Sequence, residues 1–140
     1  MAMKASRVDT WAATIKDQPG GLSAKLETLA AARVNLEFII ARRAPEKPGT
    51  GVVFVAPIKG AAGLAAAKKA GFKKAPSMHS VRVEAADKPG QAARMTMALA
   101  EAGINLRGFS AAAIGKKGVA YIAVDTSAAA AKAMKVLAKL

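Results

Sequence analysis

Asp17-Gln18-Pro19-Gly20, then a helix-like run, then Val34-Asn35-Leu36: this series returns as Asp87-Lys88-Pro89-Gly90, a second helix-like run and Ile104-Asn105-Leu106. The copies stand 70 residues apart, and from Asp to Asn is 18 residues in both. Asn35 and Asn105 are the only two asparagines, and Leu29-Ala30 recurs in register as Leu99-Ala100. Chance rarely repeats that many residue types at one offset. The chain is therefore an internal duplication, and that fact governs every later reading.

Working outward, residues 10–16 read as a strand that ends at the Asp17 turn. Pro19 suits the first turn of a helix, where its missing N–H costs nothing. Leu22, Leu26 and Leu29 form an apolar stripe at helical spacing, and the helix should end near Arg33. Leu36, Phe38 and Ile40 alternate with their neighbours, and Val52–Ala56 is apolar, so residues 35–56 read as a hairpin across a Pro/Gly-rich loop. Residues 59–70 read as a helix stopped by Gly71. Phe72–Pro76 forms a short edge strand.

The second copy gives a strand over Ser80–Ala86, then a helix over Pro89–Ala102 with Ala92, Met95 and Leu99 inward. Strands over Asn105–Ala113 and Val119–Val124 follow, with a last helix over 127–138. Phe54 and Tyr121 fall at matching places in the two hairpins. The fold class is α+β: tandem ferredoxin-like βαββαβ repeats over residues 10–76 and 79–140, antiparallel sheets with helices on one face. The last strand of the second repeat is missing from its own segment, and residues 1–9 are the candidate to fill that edge.

Length allows a proper core, but each half alone would be marginal, so the halves should share an interface rather than hang on a linker. The chain has no cysteine, hence no disulfide framework and no thiolate metal site. No stretch approaches the roughly 18 apolar residues of a membrane span, and the first residues lack a signal-peptide core, so a cytoplasmic location is expected. The net charge of +13 is spread through the chain: residues 1–77 carry 13 basic and 5 acidic side chains, residues 78–140 carry 9 and 4. That balance favours anions without specifying a fold.

An Asp-x-Pro-Gly turn, an amphipathic helix and a Val/Ile-Asn-Leu strand start, twice over, resemble the ACT-domain family of small regulatory βαββαβ modules that commonly bind amino acids. The resemblance covers residues 10–76 and 79–138. It implies a non-catalytic sensor that binds an amino acid or related small carboxylate, needs no cofactor and acts by changing its association with a protein partner. The implied ligand set is Asp17, Gly20, Gly21, Leu22, Asn35 and Leu36 in the first copy, with Asp87, Gly90, Gln91, Asn105 and Leu106 in the second.

Physical chemistry is compatible with such a site. A helix start offers unpaired N–H groups and a positive dipole end, so the N–H groups of Gly20, Gly21, Gly90 and Gln91 can hold a carboxylate. Asn35 and Asn105 supply both donors and an acceptor to orient a ligand where a helix start of one unit faces a strand start of the other. Asp17 or Asp87 can pair with an ammonium. The plainer alternatives are helix capping for the aspartates and turn hydrogen bonds for the asparagines. Gly21-Leu22 becomes Gln91-Ala92, so the two copies need not be equally competent.

Other function classes fare worse. His79 is the single histidine, with no orienting acid beside it, so neither a catalytic triad nor a zinc site is expected. Gly49-Thr50-Gly51 and the Gly115–Gly118 turn are too short for a phosphate loop. The βαββαβ unit is also the architecture of RNA-recognition modules. Those stack bases on sheet aromatics, whereas this chain has only Trp11, Phe38, Phe54, Phe72, Phe109 and Tyr121 and no matching signature. Nucleic acid is therefore not the expected partner, although Lys68, Lys69, Lys73 and Lys74, or Arg42 and Arg43, offer a basic patch to phosphate or to an acidic protein. Ile39, Ile40, Val53, Phe54, Tyr121 and Ile122 make both hairpin faces partly apolar, which predicts a homodimer.

Overall fold

The computed structural model describes residues 3–75 and 78–140 and divides into two compact units. One is contiguous, Asp9–Ala75; the other is split, joining Met1–Val8 to Pro76–Leu140.

In the contiguous unit, β2 (Trp11–Lys16) leads into α1 (Gly21–Ala31), the hairpin β3 (Phe38–Arg43) and β4 (Thr50–Ala56), α2 (Gly60–Lys69) and β5 (Lys73–Lys74). The antiparallel sheet has the order β3-β4-β2-β5. Alternation sends Ala13, Val53 and Val55 to one face, where Leu29, Ala66, Ala67 and Phe72 cover them. The expected edge strand over Phe72–Pro76 is present as β5; Pro76 itself lies outside the described residues.

The split unit contains β6 (His79–Ala86), α3 (Gln91–Glu101), β7 (Leu106–Ile114), β8 (Lys117–Val124) and α4 (Ser127–Ala138). Its open edge is filled by β1 (Lys4–Val8), antiparallel to β6 with Ala5 opposite Val83. The sheet order β1-β6-β8-β7 thus matches that of the contiguous unit, with β1 standing where β5 stands there. Val81, Val83, Ile122 and Val124 meet Met95, Leu99, Ala133 and Leu137 in its core, and Met3 at the head of β1 joins them.

Several elements start or stop beside their expected positions for local reasons. Pro19 and Pro89 stand one residue ahead of the helices' caps, which are Gly20 and Gly90. Both glycines are left-handed, with φ of 85° and 81°. Asn35 lies outside β3, which begins only at Phe38, two residues later than β7 begins in the other copy, although Val34 N–H and Ile104 N–H close the two helices alike. Ala92 is not turned inward with Met95 and Leu99; it is exposed.

Candidate functional site

The shared turn has the same frame in both units. Asp17 N–H donates to the Gly49 carbonyl and Asp87 N–H to the Lys116 carbonyl, which ties each turn to the hairpin beside it. Neither aspartate caps its helix through its side chain. The Gly21 N–H donates to Gln18 and the Gln91 N–H to Lys88, so the turn itself uses both. Among the described residues, the Ala92 and Ala93 N–H groups that follow in the first turn of α3 have no partner.

Beyond that frame the copies diverge. In the contiguous unit the Arg43 Nε donates to the Asp17 carboxylate at 2.6 Å, beside the start of α1. Arg43 lies opposite Gly51 in the β3–β4 register; the residue opposite the equivalent Gly118 is Ala113. No described side chain pairs with the Asp87 carboxylate. A Cβ at position 21 would overlap the Lys16 carbonyl oxygen, so glycine lets α1 close directly onto that group. At the same place in the split unit the backbone stands back, and the Gln91 side-chain amide donates to the Ala86 carbonyl across 3.1 Å.

The result is a cleft of about 300 Å³ in the split unit, between the start of α3 and the far ends of β6, β7 and β8. Val83, Ala85, Met95 and Ala120 make a buried apolar floor, and Asp87, Lys88, Gly90 and Gln91 form the rim. Among the described residues no group of acids and histidines is arranged to hold a metal.

Of the residues the sequence points to, Asp87, Gly90 and Gln91 meet at this cleft. Asn105 and Leu106 do not line it: they stand beyond the other end of α3, about 16 Å along a helix of 11 residues. Asn35 and Leu36 are placed likewise beyond α1, away from Asp17, Gly20, Gly21 and Leu22. Both asparagines are exposed, and neither side chain is engaged in a hydrogen bond with the described residues. Sequence reading passed over Lys88 and the alanines of the cleft wall. The signal lies in the duplication itself: the cleft is written in residues that differ between the copies, not in those they share.

Residues 79–140 match the family model of the ACT domain. No curated protein matches the chain. Among solved structures, a protein from Bacteroides thetaiotaomicron is similar over 94% of this chain and 88% of its own, with 16% identity and a TM-score of 0.77. The ligand-free regulatory subunit of aspartate kinase from Thermus thermophilus is similar over 99% and 96%, with 18% identity and a TM-score of 0.68. The corresponding subunit from Thermus flavus is also 18% identical over 99% and 96%, with a TM-score of 0.63. At these identities the likeness establishes a shared fold. Residues 79–140 are thus an ACT domain, and Asp9–Ala75 repeats its strand order, turn and helix.

Proposed function

We propose that this chain is a non-catalytic regulatory module that senses an amino acid or a related small carboxylate. The observation that carries the reading is the cleft at the start of α3. There an anion-seeking group of Ala92 and Ala93 N–H and Lys88 stands beside the unpaired Asp87 carboxylate. Opposite charges side by side on the rim of an apolar hollow suit a zwitterion: its carboxylate at the helix start and Lys88, its ammonium at Asp87. Asp17, Gly20, Gly21 and Leu22 form the counterpart in the contiguous unit, where Arg43 already satisfies the acid. Asn35, Leu36, Asn105 and Leu106 cannot reach the helix start of their own unit, so in this reading they act on a ligand from a second chain of a homodimer. The likeness to regulatory subunits of aspartate kinase supports a role exerted on a separate catalytic partner. Such a role requires that ligand and partner be coupled in free energy.

A thermal-shift screen of the twenty amino acids tests this. A ligand that binds only the folded chain raises the melting temperature by mass action. No shift with any of them, backed by calorimetry, removes the sensor reading. The basic interaction module then takes its place. It rests on the acid-free stretch between Glu46 and Glu84, where Lys68 and Lys69 end α2 and Lys73 and Lys74 form β5.

A further inference from the structure

The two units are copies of one design, so the side chains that plug one cleft describe what the other is shaped to receive. The strand registers and the shared turn fix the correspondence. Ile15 matches Ala85, since each precedes its turn by two residues and lies opposite Gly51 or Gly118. Leu22 matches Ala92, the second residue of each helix. Val53 lies opposite Ala13, and Ala120 opposite Val83, its counterpart.

In the contiguous unit Ile15 and Leu22 pack against the core, and Val53 is fully buried within it. In the split unit all three positions are alanine, and all three alanines line the cleft. Val83, in place of Ala13, and Met95, in place of Lys25, return part of the lost volume. Arg43, which pairs with Asp17 in the contiguous unit, gives way to Ala113, which also lines the cleft.

The missing atoms are therefore of two kinds. Inside, branched aliphatic side chains are absent; at the rim, the counterpart of the Arg43 guanidinium that pairs with the acid is absent. A charged side chain has no place on a floor of Val83, Ala85, Met95 and Ala120, because a buried charge needs a partner and these offer none. An aliphatic side chain does, since it restores the contacts that Ile15, Leu22 and Val53 make in the other unit.

We propose that the split unit takes an α-amino acid with a branched aliphatic side chain, at one site per chain, the contiguous unit being plugged by its own Ile15, Leu22, Val53 and Arg43. This deepens the sensor reading and rests on it. The ligand's side chain occupies the floor and its ammonium stands at Asp87 as the Arg43 guanidinium stands at Asp17.

Calorimetry of the full chain with glycine, alanine, valine, leucine, isoleucine, lysine and aspartate tests the assignment. Affinity should climb from alanine through valine to leucine or isoleucine by roughly fourfold per buried carbon. Lysine and aspartate should bind more weakly than leucine, and the stoichiometry should be one per chain. Ala92→Leu, which installs the other unit's own residue at the exposed start of α3, should abolish binding while the unliganded melting temperature stays close to wild type. Ala113→Arg should do the same by supplying Asp87 with an internal partner. If an amino acid binds but leucine is no better than glycine, or if two bind per chain, the aliphatic assignment is overturned and the sensor reading stands. Leucine binding at wild-type strength to both variants also overturns it, since the site then lies elsewhere. If no amino acid binds at all, both readings fall.

Discussion

Gly21 and Gln91 hold the same place in two copies of one turn, and a single carbonyl decides between them. The Lys16 carbonyl leaves no room for a Cβ at residue 21, whereas the Ala86 carbonyl is approached by the Gln91 amide. Gly21→Gln should therefore destabilise the contiguous unit by about 1–3 kcal/mol, as forced overpacking does. Gln91→Gly should cost no more than about 1 kcal/mol. Chemical denaturation of the two variants checks the asymmetry. Arg33 offers a change in the opposite direction. It ends α1 with φ at 60°, the role that Gly103 fills after α3, and both ends make the same pair of backbone hydrogen bonds. Arg33→Gly should raise stability by about 0.5–1 kcal/mol, since it relieves a left-handed side-chain residue at the cost of some glycine entropy. A lower denaturation midpoint would contradict it. Asn35→Ala with Asn105→Ala should leave stability within about 0.5 kcal/mol, because both side chains are exposed and unengaged. Under the proposed function the double variant still loses ligand affinity. If it unfolds instead, the asparagines are structural.

Among the elements, β1 shows how far hydrophobic pattern reaches. Lys4-Ala5-Ser6-Arg7-Val8 is too polar to declare itself, and only the missing strand of the second repeat points to it. What holds it is the ladder to β6, Met3 buried in the core, and Arg7, which donates to Ser127 on α4 and to Nδ1 of His79. Met3→Ala should cost about 2–4 kcal/mol. Amide exchange should speed up first along β6, leaving α1 and α2 as protected as before; uniform loss of protection would refute a local role. Helix α4 was legible to the residue because its start is chemical: the Thr126 hydroxyl accepts the Ala129 N–H at 3.0 Å. The apolar stripes of α1 and the hairpin alternation were equally plain. The cleft was not legible, because alanine fits both an inward and an outward position, and Ala92 fell on the inward side of the pattern while standing exposed. The helix end near Arg33 was legible, but the start of β3 was not: the alternating Leu36, Phe38 and Ile40 fit a strand from Leu36, whereas β3 begins at Phe38.

Across the whole molecule the excess of positive charge is shared almost evenly. Asp9–Ala75 has eleven basic against five acidic residues, and the split unit has eleven against four. Few of these cations are committed to strong pairs, and Asp17–Arg43, Asp9–Lys74 and Arg82–Glu84 are the tighter ones among the described residues. Attraction to polyanions should thus be general and steeply salt-dependent. Retention on single-stranded DNA is expected at low salt and should vanish near physiological salt; a sequence-selective, submicromolar complex there would displace the sensor reading. Ile39, Ile40 and Ile114 remain exposed on the edge strands β3 and β7. Light scattering should accordingly return the mass of a dimer, and a strict monomer at all working concentrations would exclude it.

The thread of the chain also sets a timetable. β1 emerges from the ribosome ahead of the rest of its sheet: its partner β6 begins only at His79, and the sheet needs β8, which ends at Val124. At about 5–20 residues per second, β1 waits roughly 6–23 s for that sheet to be synthesised. Meanwhile Asp9–Ala75 has every strand it requires and can complete its fold. A nascent-chain experiment stalled after residue 110 should find the contiguous unit protease-resistant and β1 still cleavable. β1 is then made before the rest of its sheet yet secured after the contiguous unit, and whatever ligand the split unit binds meets its site only once β8 has been synthesised.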